Sequence, residues 1–310
     1  MTALPKYSEL PRLDDVGSHH AWDVFGPGDE LGTLNLLDAE AVRHATGLVR
    51  TGERVGISLP LDQPDPPLFR REPFQHTVKR IGSMWDDRLD SFFPQCSTQW
   101  DGFRHHRVRQ HGFYGGVLDD PAPGNPRLSI HHWARAGILG RGVLLDVAAH
   151  LPGVDPLSEH SITPDDLRAV ASAQGTEIRP GDILCLRTGW LAAYRALEPE
   201  GKAAIAAEKA GLSSAGLAAD ESTAELLWDW HIAAVSADNP AVEVTPGDAA
   251  VGSLHRRLLG LLGIPLGELF DFDELATRLA AESRSEFLFV SVPLAVPGGL
   301  GSPGNAVAVL

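Results

Sequence analysis

The stretch DILCLRTG (residues 182–189) is a short apolar run bounded by Asp182 and Gly189. A run of this length with turn-forming residues at its ends is typical of a buried β-strand. Five other runs of apolar or β-branched residues have the same form: RVGISLPL (54–61), GVLLDV (142–147), AAVSAD (233–238), FLFVSVPL (287–294) and AVAVL (306–310). We therefore predict a strand at each of these six positions.

Helix patterns lie between these runs. They are DAEAVRHATGLV (38–49), TPDDLRAVASAQG (163–175), STAELLWDWHI (222–232) and DAAVGSLHRRLLGLLG (248–263). The first begins with Asp38 as an N-cap, and the second with Thr163 as an N-cap before Pro164. The last two have apolar residues at three- and four-residue spacing. Helices alternating with strands predict a mixed α/β fold.

The chain has no internal repeat and no low-complexity linker. Its Pro-rich segment LPLDQPDPPLFRREPF (59–74) is short and contains Leu and Phe side chains that can pack. With 310 residues and 43% hydrophobic content, the chain can bury a sizeable core. We predict a single domain over residues 1–310, with residues 1–20 as an N-terminal extension.

The formal charge of −15, without a Lys/Arg-rich run, argues against nucleic acid or an anionic membrane as a partner and favours a small molecule. The first residues lack the apolar core of a signal peptide, and LLGLLGIPL is too short to cross a bilayer. Cys96 and Cys185, the two cysteines, lie far apart in the sequence and are expected to stay reduced, Cys185 within the core. We predict a cytoplasmic protein.

The segment PQCSTQWDGFRHHRVRQHGFYGG (94–116) concentrates Gln, Asp, His, Cys and aromatic residues. Asp101 and His105 share a face if the segment is helical, and Gln99 and Asp101 share one if it is extended. A carboxylate beside neutral donors suits a divalent cation, and an imidazole suits proton transfer near neutral pH. The alternative is a solvated polar loop.

Three further patterns carry weaker signals. GLGSPG (299–304) matches a dinucleotide fingerprint but is followed by the strand AVAVL, so we interpret it as a turn between strands. Cys96 is close in sequence to His105, but a buried, inert thiol is the simpler interpretation. In LHRRLLGLLGIPLGELF, His255 and Glu268 lie in an apolar context, where Arg256 or Arg257 can pair with Glu268.

Taken from about residue 20 to its end, the chain resembles a family of cyclase-like, metal-dependent amidohydrolases that includes bacterial kynurenine formamidase and isatin hydrolase. The resemblance lies in five segments: WDVFGPGDELGTLNLLDAEAV, GRGVLLDVAAH, IRPGDILCLRTGW, GLSSAGLAADESTAELLWDWHIAAVSADNPAVE and SVPLAVPGGLGSPGNAVAVL. It implies a swivelling β/β/α fold, a mixed sheet with outer helices, in a homodimer or homotetramer.

The family signature is H-x-G-T-H-x-D-x-P-x-H, in which two His and the Asp bind metal and the last His is an acid or base. Aligned with QCSTQWDGFRH, it places the Thr at Thr98, the Asp at Asp101 and the last His at His105. The two metal-binding His positions hold Gln95 and Gln99. This branch therefore carries two amides in place of two imidazoles.

The family's downstream metal ligands match His255 and Glu268. The ligand set that the resemblance implies is Gln95, Gln99, Asp101, His255 and Glu268. Amide oxygens are harder donors than imidazole, which favours Mn²⁺, Mg²⁺ or Ca²⁺ over Zn²⁺, and Mn²⁺ over Zn²⁺ in particular. One ion is expected. A metal-free site with His105 and Glu268 as the acid/base pair is the alternative.

The implied reaction is attack of metal-activated water on the carbonyl carbon of a cyclic amide, lactone, imide or N-formyl group. His105 is the general acid/base, with Asp101 and Glu268 as further catalytic residues. The substrate-binding candidates are Trp85, Trp100, Phe103, His106 and Tyr114, whose rings can equally belong to the core. An isomerase, dehydratase or ring-closing enzyme and a non-catalytic binder are the alternatives. The pattern leaves His106 and His111 open as further site residues.

Overall fold

The computed structural model describes residues 4–208 and 212–310, so the first three residues of the predicted N-terminal extension lie outside the described residues. Its centre is a nine-stranded mixed sheet. The described strands are β1 (Arg12–Leu13), β2 (Ser18–His19), β3 (Arg54–Gly56), β4 (Gln75–Ile81), β5 (Met84–Asp90), β6 (Gln99–Asp101), β7 (Ile138–Asp146), β8 (Ser161–Ile162), β9 (Ile183–Arg187), β10 (Gly216–Leu217), β11 (Ala234–Ala237), β12 (Leu266–Glu268), β13 (Glu286–Ser291), β14 (Gly301–Pro303) and β15 (Ala306–Val309). All six predicted runs contain a strand.

The order across the large sheet is β14-β6-β12-β11-β9-β7-β13-β15-β3. The four inner strands β12, β11, β9 and β7 are parallel to one another, and the strands on both sides of them are antiparallel to their neighbours. Residues 183–186 of β9 are buried. This burial explains the continuous apolar run, because strands covered on both faces do not alternate in polarity.

Eight α-helices occur in the described part of the chain: α1 (Ala39–Thr46), α2 (His131–Ala136), α3 (Val147–His150), α4 (Pro164–Ala173), α5 (Trp190–Arg195), α6 (Pro199–Ala207), α7 (Glu221–Asp229) and α8 (Asp273–Ala281). Both predicted caps are confirmed. Asp38 accepts from two backbone N–H groups of α1, and Thr163 forms a reciprocal capping box with Asp166. None of these helices has the length and apolar content needed to cross a membrane.

The predicted helix over residues 248–263 is wrong in its first third. Residues 248–253 are not helical and contain a turn at 249–251, and a π-helical segment covers Arg256–Leu262. Gly252 has a φ of 100°, which a helix does not allow. The backbone N–H of Leu254 then donates to the Glu243 carboxylate, which lies outside this segment. The helix therefore begins where this distant acceptor satisfies its first N–H groups.

The glycine-rich stretch 299–304 also differs from its prediction as a turn, because residues 301–303 form β14 at the edge of the sheet. A Cβ at Gly301 would lie 2.7 Å from the carbonyl oxygen of Trp100, so a glycine allows this close pairing with β6. Pro303 is tolerated because an edge strand leaves N–H groups unpaired. The glycines serve sheet packing here.

The Pro-rich segment packs against the body of the protein, as predicted. Leu59 and Leu68 are buried in a small cluster with Trp190, Tyr194 and Leu269. This cluster places the end of the segment, residues 69–71, beside the site described below.

The described part of the N-terminal extension is also bound to the body of the protein. Tyr7 and Leu10 are buried. The Tyr7 backbone N–H donates to Asp229, and the Trp228 indole donates to the carbonyl oxygen of Pro5. These contacts anchor the segment on α7.

The hairpin formed by β4 and β5 stands apart from the core. Every residue of β4 is exposed, and Trp85 on β5 has 64% of its surface exposed. Polar and apolar residues occur on both of its faces, so neither face resembles a core surface.

The homodimer or homotetramer that the family resemblance implies remains a prediction.

Candidate metal centre

The antiparallel pairing of β6 with β12 brings two parts of the predicted site together. Gln99 pairs with Glu268 and Asp101 with Leu266. Alternate residues of a strand share a face, so Gln99 and Asp101 lie on the same side of β6 as Glu268. The extended arrangement, one of the two left open by the sequence, is the one that forms.

His255, the residue immediately before the π-helical segment, lies next to these carboxylates. Its Nε2 lies 3.0 Å from Oε1 of Glu268 and 3.6 Å from Oδ2 of Asp101. One ligand atom from each of these three side chains lies within 4.8 Å of the other two, and all three residues are buried. This spacing allows a single cation to contact all three.

Several oxygen atoms at this point lack the partners that burial normally requires. Both carboxylate oxygens of Asp101 and the amide oxygen of Gln99 are buried without a hydrogen-bond partner. The Gln99 amide nitrogen donates to Glu268. Buried carboxylates are normally paired or coordinate a metal, and carboxylate and amide oxygens are ligands of hard divalent cations. The residues present therefore fit a divalent metal ion.

Glu243 belongs to the site and was missed in the sequence. The Nδ1–H of His255 donates to Oε1 of Glu243 at 2.5 Å. A carboxylate on one ring nitrogen fixes the tautomer and leaves the other nitrogen free as a ligand. The available signal was an acidic residue between Val242 and Val244, shortly after the buried strand β11.

The charges of these groups depend on one another. Burial raises the pKa of Asp101, but the neighbouring His105 and His255 outweigh it, so the pKa is lowered. For Glu268, burial and the neighbouring Asp101 raise the pKa. Burial lowers the pKa of His255, but the neighbouring carboxylates Asp101, Glu243 and Glu268 raise it well above its usual value. One carboxyl is thus held ionised while its neighbour resists ionisation.

We expect Glu243→Gln to weaken binding of a divalent metal about 10- to 100-fold, because the amide is a weaker acceptor for the His255 Nδ1–H. Metal titration of the purified variant measures this effect. The matched control is Glu200→Gln on the exposed surface of α6, which should bind metal like the parent protein. An affinity unchanged by Glu243→Gln would exclude Glu243 as a support of the metal centre.

His105 and His106 lie beside the metal centre in a cleft of about 330 Å³. Nε2 of His105 is 3.7 Å from Oδ2 of Asp101, and the side chain is 31% exposed. Burial, followed by the neighbouring His255, lowers the pKa of His106 to about 4, so its ring is neutral at neutral pH. His105 therefore has access both to the buried carboxylate and to the cleft.

Gln95, the fifth predicted ligand, contacts His105. Its amide nitrogen lies 3.5 Å from Nδ1 of His105. Its backbone carbonyl accepts a hydrogen bond from Arg71. Gln95 therefore lies beside His105, whereas Gln99 lies beside Asp101 and Glu268.

Three of the predicted substrate-binding rings are core residues. Trp100, Phe103 and Tyr114 have no exposed surface. The Trp100 indole donates to Ser291, and Phe103 packs on Tyr114 at a centroid distance of 4.8 Å. An aromatic residue in the sequence gives the same signal in a core and in a pocket wall, and the burial of these three favours the core, the alternative that the sequence left open. Trp85 is on the exposed hairpin, and only His106 of this set lines the cleft.

The remaining sequence candidates lie outside the metal centre. Burial raises the pKa of the Cys96 thiol, so this cysteine does not have the reactive form of a nucleophile. Cys185 is fully buried, as predicted. His111 contacts Asp15 at 2.9 Å.

The arginine pairing considered for Glu268 does not form. Glu268 contacts His255 and Gln99, whereas Arg257 donates to the backbone carbonyl of Ala219.

Solved structures share this fold. A crystal structure described as a novel cyclase is 30% identical, with a TM-score of 0.83 over 94% of this chain and 99% of its own. Isatin hydrolase A from Labrenzia aggregata, bound to benzyl benzoate, is 17% identical, with a TM-score of 0.62 over 85% and 94%. A predicted metal-dependent hydrolase from Bacillus stearothermophilus is 18% identical, with a TM-score of 0.51 over 83% and 97%.

The same relationship is found at the level of sequence. A search of curated proteins gives no significant match. The model of the family described as "Putative cyclase" matches residues 55–244, which include β6, His105, His106 and Glu243. This match covers more than half of the chain, and the predicted resemblance and mixed α/β fold are both confirmed. The chain belongs to the "Putative cyclase" family.

Proposed function

We propose that the protein is a metal-dependent hydrolase that adds water to the carbonyl carbon of a cyclic amide, lactone, imide or N-formyl amide. The observation that carries this proposal is the buried convergence of Asp101, His255 and Glu268, with both Asp101 oxygens lacking a hydrogen-bond donor. Solved structures with this fold include proteins described as isatin hydrolases and one described as a predicted metal-dependent hydrolase, which supports the proposal.

The donor set favours one Mn²⁺ per chain over Zn²⁺. Asp101 and Glu268 contribute carboxylate oxygens, Gln99 an amide oxygen and His255 an imidazole nitrogen. Oxygen-rich sites without thiolates prefer harder cations. When bound, such a cation polarises a carbonyl group and makes water more acidic.

The protein holds these ligands by contacts that do not themselves involve the metal. Gln99 donates to one oxygen of Glu268 and so fixes the orientation of that carboxylate. Glu243 fixes the His255 ring with Nε2 directed at Asp101 and Glu268. A site held in this way before ligands arrive needs little rearrangement on binding.

His105 is the proton carrier of the proposed reaction. The Gln95 amide nitrogen lies 3.5 Å from Nδ1, so Nδ1 is placed to accept a hydrogen bond and Nε2 to carry the proton that is transferred. Nε2 faces Asp101 and the cleft. From this position His105 delivers a proton to the leaving nitrogen or oxygen at the metal centre.

The cleft volume of about 330 Å³ is at the lower end of small-ligand pockets, consistent with a small-molecule substrate. We expect turnover on a panel of lactones, cyclic imides and N-formyl anilines to produce a product heavier than the substrate by one water. Turnover should disappear on chelation and return with Mn²⁺, because the proposed reaction needs a cation bound by Asp101. Within the described residues the Asp101 carboxylate has no hydrogen-bond donor. Mass spectrometry of the products measures both.

Two outcomes contradict this proposal. A product with the mass of its substrate, formed at an unchanged rate under chelation, would indicate a metal-free isomerase that uses His105 and Glu268. A ligand that binds tightly and is recovered unchanged would indicate a binding protein.

A further inference from the structure

Part of the wall of the cleft is formed by the Pro-rich segment. Phe69 and Arg71 line the cleft there. Leu68, with 1% of its surface exposed, anchors the segment, and its carbonyl oxygen accepts from the Arg71 backbone N–H. Phe69 and Arg70 have φ values of 57° and 56°. Bulky residues rarely adopt this left-handed conformation, which persists where surrounding structure holds it and is common at ligand clamps.

Arg71 differs in its surroundings from arginines that are held by ion pairs. Arg141 and Arg187, for example, each pair with two carboxylates. Within residues 4–208 and 212–310, no carboxylate lies within ion-pair distance of the Arg71 guanidinium. Its one hydrogen bond to the protein runs from Nη1 to the Gln95 carbonyl, so its other N–H groups remain available to a ligand.

The position of Arg71 gives the cleft a positive pole. Its guanidinium contributes to the lowered pKa of Asp101, behind burial and the two neighbouring histidines, which places it within electrostatic reach of the metal centre. Glu243 and Glu268 also line the cleft. An anionic group on a ligand would therefore be repelled by these two carboxylates and attracted by Arg71.

Phe69 adds a flat apolar surface beside this charge. Its residue surface is 44% exposed, and the Arg71 guanidinium carbon lies 5.2 Å from its ring centroid. A cation over the face of an aromatic ring is attracted by the ring quadrupole, which limits the positions that the guanidinium can take. Ring and cation together match a ligand with a carboxylate attached to a flat group.

We propose that Phe69 and Arg71 form a carboxylate-binding subsite that selects substrates carrying a carboxylate next to a flat ring. The inference rests on the proposed function, because it assigns the substrate of the same cleft: an amide, lactone or imide that already bears a carboxylate before hydrolysis. Arg71 binds that carboxylate and so directs the scissile carbonyl towards Asp101 and His255.

Calorimetric titration of the full, chelator-treated chain with phenylacetate and with phenylacetamide tests this subsite apart from the metal. We expect phenylacetate to bind about tenfold more tightly than its neutral amide, as for a charge-assisted pair that is partly exposed. Arg71→Gln should remove the preference, and Arg71→Lys should retain part of it. The matched control is Arg70→Gln, which alters the exposed neighbour and should keep the preference.

Equal binding of the two probes by the parent protein overturns the subsite, as does a preference that survives Arg71→Gln. If Arg71→Gln fails to fold, Phe69→Leu decides: both probes should weaken while the preference for phenylacetate remains, and a lost preference contradicts the assignment. Failure of the proposed function has a different signature. If the protein prefers phenylacetate but adds water to no substrate, the carboxylate-binding subsite is supported and the proposed hydrolase function is contradicted.

Discussion

Replacing Asp101 by Asn is expected to remove the bound divalent metal and to lower turnover at least about a thousandfold, as loss of metal assistance costs several kcal/mol of transition-state stabilisation. Asp101 is 1% exposed and neither of its oxygens has a hydrogen-bond donor. The fold should survive, because without metal the Asn removes a buried charge that lacks full pairing. Elemental analysis, kcat and a melting curve in chelator measure the three effects.

The control for this variant is Asp120→Asn. Asp120 is 87% exposed in its side chain and pairs with Arg107 on the surface, so neither metal content nor turnover should change. An Asp101→Asn protein that keeps its ion and its turnover would show that the metal centre is elsewhere.

Replacing His105 by Asn is expected to lower kcat by about 10²- to 10⁴-fold while the metal content stays unchanged. The reason is that His105 lies 3.7 Å from Asp101 on the side of the cleft, outside the group formed by Asp101, His255 and Glu268. Steady-state kinetics together with elemental analysis separate the two effects.

His111→Asn serves as the control, because His111 contacts Asp15 outside the cleft and should leave kcat unchanged. Loss of the metal from the His105→Asn variant would make His105 a ligand. An unchanged kcat would move the acid/base role to another residue, with Glu268 as the first candidate because burial and Asp101 raise its pKa.

Three of the four parallel central strands, β7, β9 and β11, could be predicted from the sequence because they are covered on both faces. Burial on two sides selects continuous apolar runs such as those of β7 and β9, and these runs stand out from their turn-forming neighbours. The N-caps Asp38 and Thr163 were equally visible, since capping depends on residues that are adjacent in the sequence.

The short strands that build the site could not be predicted in this way. β6 and β12 have three residues each, and both contain polar side chains that are buried only because the two strands pair with each other. Their pairing joins residues more than 160 positions apart, as with Gln99 and Glu268. The hairpin of β4 and β5 was missed for the opposite reason: it is exposed and shows no alternation of polarity.

Prediction of the candidate site from the sequence was limited in the same way, by contacts between residues that are distant in the chain. Asp101, His105, His255 and Glu268 were found through resemblance, because their local surroundings also fitted a polar loop and an ion pair. Glu243 was not identified from the sequence because its role depends on a contact with His255, which lies twelve residues later in the chain. Arg71 and Phe69 were missed because the composition of their segment indicates a loop. Where a loop side chain lies depends on how the loop packs on the rest of the protein, which the sequence does not show.

The most direct test of the metal centre is elemental analysis of the purified, untagged protein after dialysis. We predict close to one divalent ion per chain, with Mn²⁺ preferred over Zn²⁺ when both are offered, because Asp101, Glu268 and Gln99 supply mainly oxygen donors. A protein without metal that does not take up Mn²⁺, and whose turnover resists chelation, would contradict this account.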